Sequence, residues 1–295
     1  MTNAEIYKPA GRGASVRSRE RAANAAIYAI LSVMSLFWLL PVLWLVISSL
    51  RGEPGAYTEY IMPKQWTLSN YTRLFTDTAL FSFPRWYMNT LLVAACSCAI
   101  TTFLTLMVAY TYSRLRFRWR RGLMNISLVL GMFPGFMSMI AIYHFMKAIG
   151  LDQSLAALVM VYSGGAALGY YVAKGFFDTI PKALDEAATI DGCTRNGIFW
   201  RIILPSSLPI VAYTALTAFI APWLDFIFVS VIMKDNYANY TVSVGLFRMI
   251  ERENIYQYYT RFCAGAVLVA IPITLLFVKM QKYYVEGVTG GAVKG

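Results

Sequence analysis

Apolar residues in this chain gather into long stretches, and the charged positions collect between them. Six stretches, at about 24–50, 88–112, 123–148, 154–175, 207–233 and 261–281, come near or above the ~20 residues that an α-helix needs to cross a bilayer. The pattern predicts an all-α membrane protein with six transmembrane helices. The first stretch follows a basic tail, residues 1–23, but it is too long for the core of a signal peptide and ends in no small-residue cleavage pattern, so it reads as a retained anchor.

Several spans carry interruptions. In the third, Gly131, Pro134 and Gly135 predict a kink, and His144 near its outer end has no assigned role. In the fourth, Gly164, Gly165 and Gly169 have the small-xxx-small spacing that lets helices approach closely. Tyr170 and Tyr171 follow, at a position suited to an aromatic belt. In the fifth, Pro222 deprives the Ala218 carbonyl of its donor, and at 100° per residue Thr214, Thr217, Ala221 and Asp225 share one stripe. A carboxylate is costly against lipid, so this stripe faces the bundle interior or a wet cavity. Two readings stay open for Asp225: it lines a path across the membrane, or it hydrogen-bonds a neighbouring helix.

Composition supports the membrane assignment, with 58% hydrophobic and 14% charged residues. The net charge of +11 follows from topology and does not require nucleic acid, because Lys and Arg sit at the ends of spans and form no basic stripe. With the N-terminus inside, 17 of the 26 Lys and Arg fall in the tail, 113–122, 174–206 and the segment after 278. By the positive-inside rule both termini are expected to be cytoplasmic. Cys96, Cys98, Cys193 and Cys263 have neither zinc-ligand nor disulfide-framework spacing and read as small packing residues. The chain lacks a phosphate-binding G-x-x-x-x-G-K-[ST] loop and a catalytic cluster in its spans, so it is not expected to be an enzyme. A secondary transporter would need coupling-ion residues in repeated broken helices; only Asp225 and the Pro222 break qualify.

Between the fourth and fifth spans lies EAATIDGCTRNGIFWRIILP, residues 186–205. Pro181 is compatible with the first turn of a helix, Leu184, Ala187, Ala188 and Ile190 give that helix an apolar side, and Gly192 suits its end. A second helix is predicted through Phe199, Trp200 and Ile203 to Pro205. Lys182 and Glu186, four apart, could be an ordinary surface pair. That pair leaves the exposed apolar positions unexplained, and they call for a partner surface.

Glu186, Ala187 and Ala188, then Gly192, then Ile202, Leu204 and Pro205 match the signature EAA-x3-G-x9-I-x-LP, so the segment resembles that of permease subunits of bacterial ATP-binding-cassette importers. The resemblance implies a coupling helix at Pro181–Gly192, including Asp191, within a cytoplasmic segment 178–205, docking on an ATPase. Cys193 departs from the small residue usual there. The stretches PKQWTLSNYTRLF (63–75), FIAPWLDFIFVSVIM (219–233), YTVSVGLF (240–247) and YYVEGVTGGAVKG (283–295) are similar to the MalG-like subunits of maltose and maltodextrin importers. That likeness implies a type I importer permease (MetI-like) fold over 24–281, a cytoplasmic tail 282–295, and residence in the bacterial cell membrane. It implies a MalF-like second permease, two copies of an ABC ATPase holding ATP and Mg, and an extracellular or periplasmic sugar-binding protein. No cofactor or metal is expected on this chain itself. It further implies a binding-protein contact at Tyr240, Val242, Gly245 and Leu246. The expected cargo is maltose or maltodextrin, with a galacto-oligosaccharide, a raffinose-type sugar or a uronate oligomer as alternatives.

Overall fold

The computed structural model describes residues 13–133 and 135–289. In chain order the helices are α1 (Gly13–Ser49), α2 (Ser69–Thr76), α3 (Phe83–Arg114), α4 (Arg120–Gly131), α5 (Gly135–Ala148), α6 (Leu155–Gly164), α7 (Tyr170–Thr179), α8 (Ala183–Ile190), α9 (Arg195–Ile198), α10 (Leu204–Ser206), α11 (Leu208–Leu224), α12 (Ile227–Met233), α13 (Val242–Met249) and α14 (Ile255–Thr289). Among the described residues no strand forms, and one isolated bridge joins Arg51 to Trp66.

Among the described residues, three helices are continuous, long and apolar enough to cross a bilayer: Ser18–Ser49, Phe83–Arg114 and Ile255–Tyr283. A fourth candidate is the bent pair Arg195–Ser206 and Leu208–Leu224, whose axes meet at 84°. The other predicted spans are interrupted. The third divides into α4 and α5, with Pro134 outside the described residues. The fourth leaves the α-helix at Gly164, passes through a 3-10 turn at Gly165–Ala167, and resumes at Tyr170. The fifth stops at Leu224 and restarts at Ile227. Continuous hydropathy does not require continuous helix, provided that the backbone groups freed at each break find other partners inside the protein.

Two apolar cores are strung along α3. The first gathers Phe83, Trp86, Val93 and Ala94 of α3 with Leu158, Trp223, Val229, Ile232, Val242 and Leu246. The second gathers Leu106, Ala109, Tyr110 and Tyr112 of α3 with Tyr170, Phe177, Ala188, Ile198, Phe199, Ile203 and Ile210. From residue 94 to residue 106 a helix rises about 18 Å, so α3 and α11 pass through both cores and join them. Most of α1 packs on neither: Ile27 through Leu43 keep large apolar surfaces exposed, while Ser48 and Ser49 at its end are buried. Exposure on this scale suits contact with lipid or another subunit. That end is fixed by Asn70, whose side chain donates to the Ser49 and Arg51 carbonyls at 3.0 and 2.7 Å and accepts from Thr260 at 3.0 Å.

The structure corrects two packing expectations. A Cβ at Gly164 or Gly165 would meet no atom within 4 Å, and at Gly169 only the Ala166 carbonyl at 3.8 Å. These glycines border clefts and bring no helix of this chain close, because the chain leaves α-helical register where they occur. Tyr170 is fully buried in the second core, so it is a core residue rather than part of an exposed aromatic belt.

Candidate coupling segment and membrane cleft

Helix α8 ends in a two-bond cap. Gly192, at φ +79°, takes the left-handed conformation that side chains disfavour. The Cys193 and Gly192 amides then donate to the carbonyls of Ala188 (2.9 Å) and Thr189 (3.1 Å). Two residues on, the Thr194 hydroxyl accepts from the Gly197 amide at 3.2 Å and starts α9. The turn is thus specified at both sides, and the expected helix, glycine turn and second helix are present. Pro181 falls just before α8 rather than within its first turn. The second helix widens into a π-turn over Phe199–Ile203 before α10, and Ser207, at the elbow into α11, donates to the Ile203 carbonyl at 2.6 Å.

Only Ala188 of α8 is buried, in the second core. Glu186, Ala187, Asp191 and Gly192 are exposed, Leu184 is 45% exposed and Ile190 87% exposed. Among the described residues Glu186 makes no ion pair with Lys182 or with any other residue. Ile202 and Leu204 are half-buried and Pro205 is exposed, while Ile203 between them is fully buried.

What fastens α8 to the bundle is a pair the sequence does not advertise. Arg114, in the last turn of α3, lies 3.0 Å from Asp185, with side-chain exposures of 4% and 20%. The same guanidinium donates to the Ile180 carbonyl at 2.9 Å. Nearby, Ser113 donates to Asp178 at 2.7 Å and Tyr110 to the Arg195 carbonyl at 2.9 Å. Helix α8 is therefore joined to α3 through a low-exposure charge pair, and to α7 and α11 through the second core.

Between the two cores lies a cleft of about 440 Å³, lined by Thr101 and Thr105 of α3, Tyr162 of α6, and Tyr213, Thr214 and Thr217 of α11. Thr214 and Thr217 fall together as their spacing predicts. Asp225 does not join them, because α11 ends at Leu224 and Asp225 is extended, with ψ 106°. It lies in a neighbouring cleft of about 990 Å³ that shares Tyr162 and Gly165 with the first. One carboxylate oxygen accepts from the Tyr162 hydroxyl at 2.9 Å, and the other accepts from the Phe228 amide at 3.0 Å, capping α12. Its carbonyl accepts from Ser243 at 2.7 Å. Asp225 is thus bonded into the bundle and also borders a cavity. Thr101, Thr105 and Tyr162 escaped the sequence reading; the four-residue spacing of the two threonines, which puts them on one helix face, was the available signal.

The proposed binding-protein contacts are corrected by burial. Tyr240, Val242, Gly245 and Leu246 all lie in the interior. A Cβ on Gly245 would fall 2.0 Å from the Trp86 ring. Trp86 donates to the Tyr237 carbonyl at 3.1 Å, Asn89 to the Ala238 and Tyr240 carbonyls at 2.9 and 3.0 Å, and the Val242 amide to Thr90 at 2.8 Å. This segment closes the first core and does not present these side chains to another protein. Arg248 on α13 is held charged: hydrogen bonds from it to the Tyr240 hydroxyl and to Glu251 raise its pKa against the opposing effect of burial.

Residues 101–289, which contain the clefts, α8 and α13, match the family described as binding-protein-dependent transport system inner membrane component. The chain belongs to this family. This inner membrane component is 34% identical over 269 residues to the galactooligosaccharides transport system permease protein GanQ of Bacillus subtilis (strain 168), covering 91% of this chain and 94% of that one. It is also 34% identical to the maltodextrin transport system permease protein MdxG of the same organism, covering 91% and 95%. Its fold matches a chain in the crystal structure of a bacterial ABC transporter involved in the import of the acidic polysaccharide alginate, with a TM-score of 0.75, 21% identity, and coverage of 95% of this permease and 100% of that chain.

Proposed function

We propose that this chain is the permease subunit of an ATP-driven carbohydrate importer and transmits ATPase motion to its membrane helices through α8. It crosses the membrane six times with both termini cytoplasmic, counting each interrupted span as one crossing. The glycine-rich ending at 290–295 lies outside the described residues and adds nothing to the structural argument. A second, MalF-like permease completes the path. Two ATPase copies hold ATP and Mg, and an extracellular or periplasmic binding protein delivers the sugar.

The observation that carries this reading is the contrast within α8, where Ile190 is 87% exposed while Ala188 is buried and Asp185 pairs with Arg114. A helix that shows apolar side chains outward and is anchored by charge inward can be pushed without detaching. Closure of an ATPase dimer on ATP would displace α8, carry α3 and α7 with it, and shift the bundle between inward- and outward-facing states by binding one state better than the other. Signature residues Glu186, Ala187 and Gly192, with Asp191 beside them, form the docking face, while Ile202, Leu204 and Pro205 belong to the elbow toward α11.

Equal identity to GanQ and to MdxG, 34% each, supports a neutral oligosaccharide as cargo and favours neither galacto-oligosaccharide nor maltodextrin. The test is co-isolation of ATPase subunits with the full importer carrying Glu186→Lys. Because Glu186 is exposed and makes no ion pair among the described residues, the variant should fold while ATPase association and sugar uptake fall at least tenfold. Wild-type association and uptake would refute the coupling role.

A further inference from the structure

The basic residues between spans are not all alike. Segment 174–206 balances four Lys and Arg with four Asp and Glu, whereas 113–122 holds five arginines and no acid, and no Asp or Glu occurs between Asp77 and Asp152. The positive-inside rule counts Lys and Arg and takes little account of acids, so it covers both segments and does not explain the difference between them. Attraction to an anionic surface depends on the net charge near it, and of the two segments 113–122 alone offers that.

The protein leaves most of this charge unused. Arg114 turns inward to Asp185 at 3.0 Å and to the Ile180 carbonyl at 2.9 Å. Arg116, Arg118 and Arg121 are exposed, and neither they nor Arg120 join an ion pair among the described residues. The Nε of Arg120 is buried and has no partner there. Aromatic side chains alternate with the arginines: Phe117 stacks on Tyr112 with ring centres 6.2 Å apart, and Trp119 is 71% exposed. Directly after them α4 buries none of its residues and exposes Leu123, Ile126, Leu128, Val129 and Leu130. Cations, an exposed indole and an apolar helix thus follow one another along the chain, in the order met on passing from water through headgroups into hydrocarbon.

We propose that Arg116, Arg118, Arg120 and Arg121 form a site for the headgroups of anionic phospholipids, with Trp119 at headgroup level. The site rests on the importer reading and topology proposed above, which put this loop at the cytoplasmic surface. The planar guanidinium fork matches the free oxygens of a phosphodiester, and each arginine near the surface adds about fivefold to affinity. Because the loop begins directly after Arg114, bound lipid also fixes the end of α3 to which Asp185 of α8 is paired. The site therefore ties the charge of the leaflet to the helix proposed to meet the ATPase.

The test is native mass spectrometry of the importer, assembled with its partner permease and ATPases, after release from nanodiscs of phosphatidylglycerol and phosphatidylcholine in equal amounts. The native importer should retain phosphatidylglycerol in preference to phosphatidylcholine by roughly tenfold or more. Arg116→Gln, Arg118→Gln and Arg121→Gln together should cut that preference at least fivefold with the melting temperature unchanged, and Lys at the same positions should keep it to within about threefold. ATPase stimulation by loaded binding protein should be at least threefold greater with phosphatidylglycerol than in pure phosphatidylcholine, and the Gln variant should lose this dependence. Equal retention of the two lipids, an undiminished preference in the Gln variant, or displacement by glycerol phosphate as effective as by added phosphatidylglycerol overturns the lipid site. Equal stimulation of the native importer in the two bilayers overturns its link to α8. Loss of the ATPases from the Gln variant in pure phosphatidylcholine, where no anionic headgroup is present, would make the loop an ATPase contact and overturn the inference as well. Labelling of Arg118→Cys by a membrane-impermeant maleimide added outside intact cells, above the background of the native cysteines, instead overturns the topology beneath it, and failure of the native chain to co-isolate with any ATPase overturns the importer reading.

Discussion

Helices α8 and α13 are each eight residues long, each lies in a connection between longer helices, and each carries a recognisable sequence signature. In α8 the large apolar side chains Leu184 and Ile190 point away from the protein, whereas in α13 Val242, Val244, Leu246 and Met249 are all buried. Among the described residues the apolar surface of the first helix stays largely uncovered. The second is largely packed, with Phe247 alone of its large apolar side chains exposed, because Trp86, Asn89 and Thr90 of α3 supply its packing and hydrogen bonds. A signature can thus fall on an exposed helix or on one that holds the fold, and burial tells the two apart.

The comparison predicts opposite consequences for substitution. The largest should come at Gly245, where a new Cβ lands on the fixed indole of Trp86 at 2.0 Å. Overpacking of a well-packed core costs about 1–3 kcal/mol and sometimes more, and here the obstacle is a buried ring held by its own hydrogen bond to Tyr237. Gly245→Val should lower the thermal stability of the purified importer by several degrees or prevent its assembly. A stable Gly245→Val complex that had lost only its response to loaded binding protein would return α13 to a contact role.

An intermediate effect is expected at Asp225. Asp225→Leu takes away the carboxylate that accepts from the part-buried Tyr162 hydroxyl and Phe228 amide, at up to about 1–3 kcal/mol for each group left without a partner. Stability and uptake should fall together. Asp225→Asn keeps one acceptor oxygen and should lose less of both. Thermal melts and uptake on the two variants decide the matter, and full stability of Asp225→Leu with uptake abolished would leave path lining as its main role.

The segment around α8 was more legible in sequence than the membrane region around it. Gly192 and Thr194 specify their turn through local backbone chemistry, so helix, turn and helix could be read from a few residues. The Arg114–Asp185 pair could not, because it joins positions 71 apart in the chain that meet only when α3 and α8 pack. The breaks at Gly164 and Asp225 were hidden for a related reason: hydropathy reports which residues avoid water, not where the backbone stays helical. Projecting Asp225 onto the Thr214 and Thr217 stripe failed because it extended helical angles one residue past the end of α11. The 440 Å³ cleft was half visible, its α11 side through spacing and its α3 side only once Thr101 and Thr105 met the carbonyls of Tyr162 and Ala166.

The smallest effect on folding, and the sharpest test of the comparison, is expected at Ile190. Its side chain is 87% exposed and caps no helix end, so Ile190→Ser should change the stability of the isolated permease pair by no more than about 0.5 kcal/mol, as for surface substitutions away from special features. If α8 seats in a cleft on an ATPase, the same change removes apolar area buried at that contact. At about 25 cal/mol per Å², loss of most of an isoleucine side chain from a packed interface weakens association by about 1–2 kcal/mol, or roughly five- to thirtyfold. The measurement pairs thermal stability of the permeases alone with titration of ATPase onto them. Unchanged melting with weakened ATPase binding fits an apolar side chain waiting for its partner. A fall in melting temperature as large as that from Gly245→Val would mean that α8 is folded into this chain in the same sense as α13.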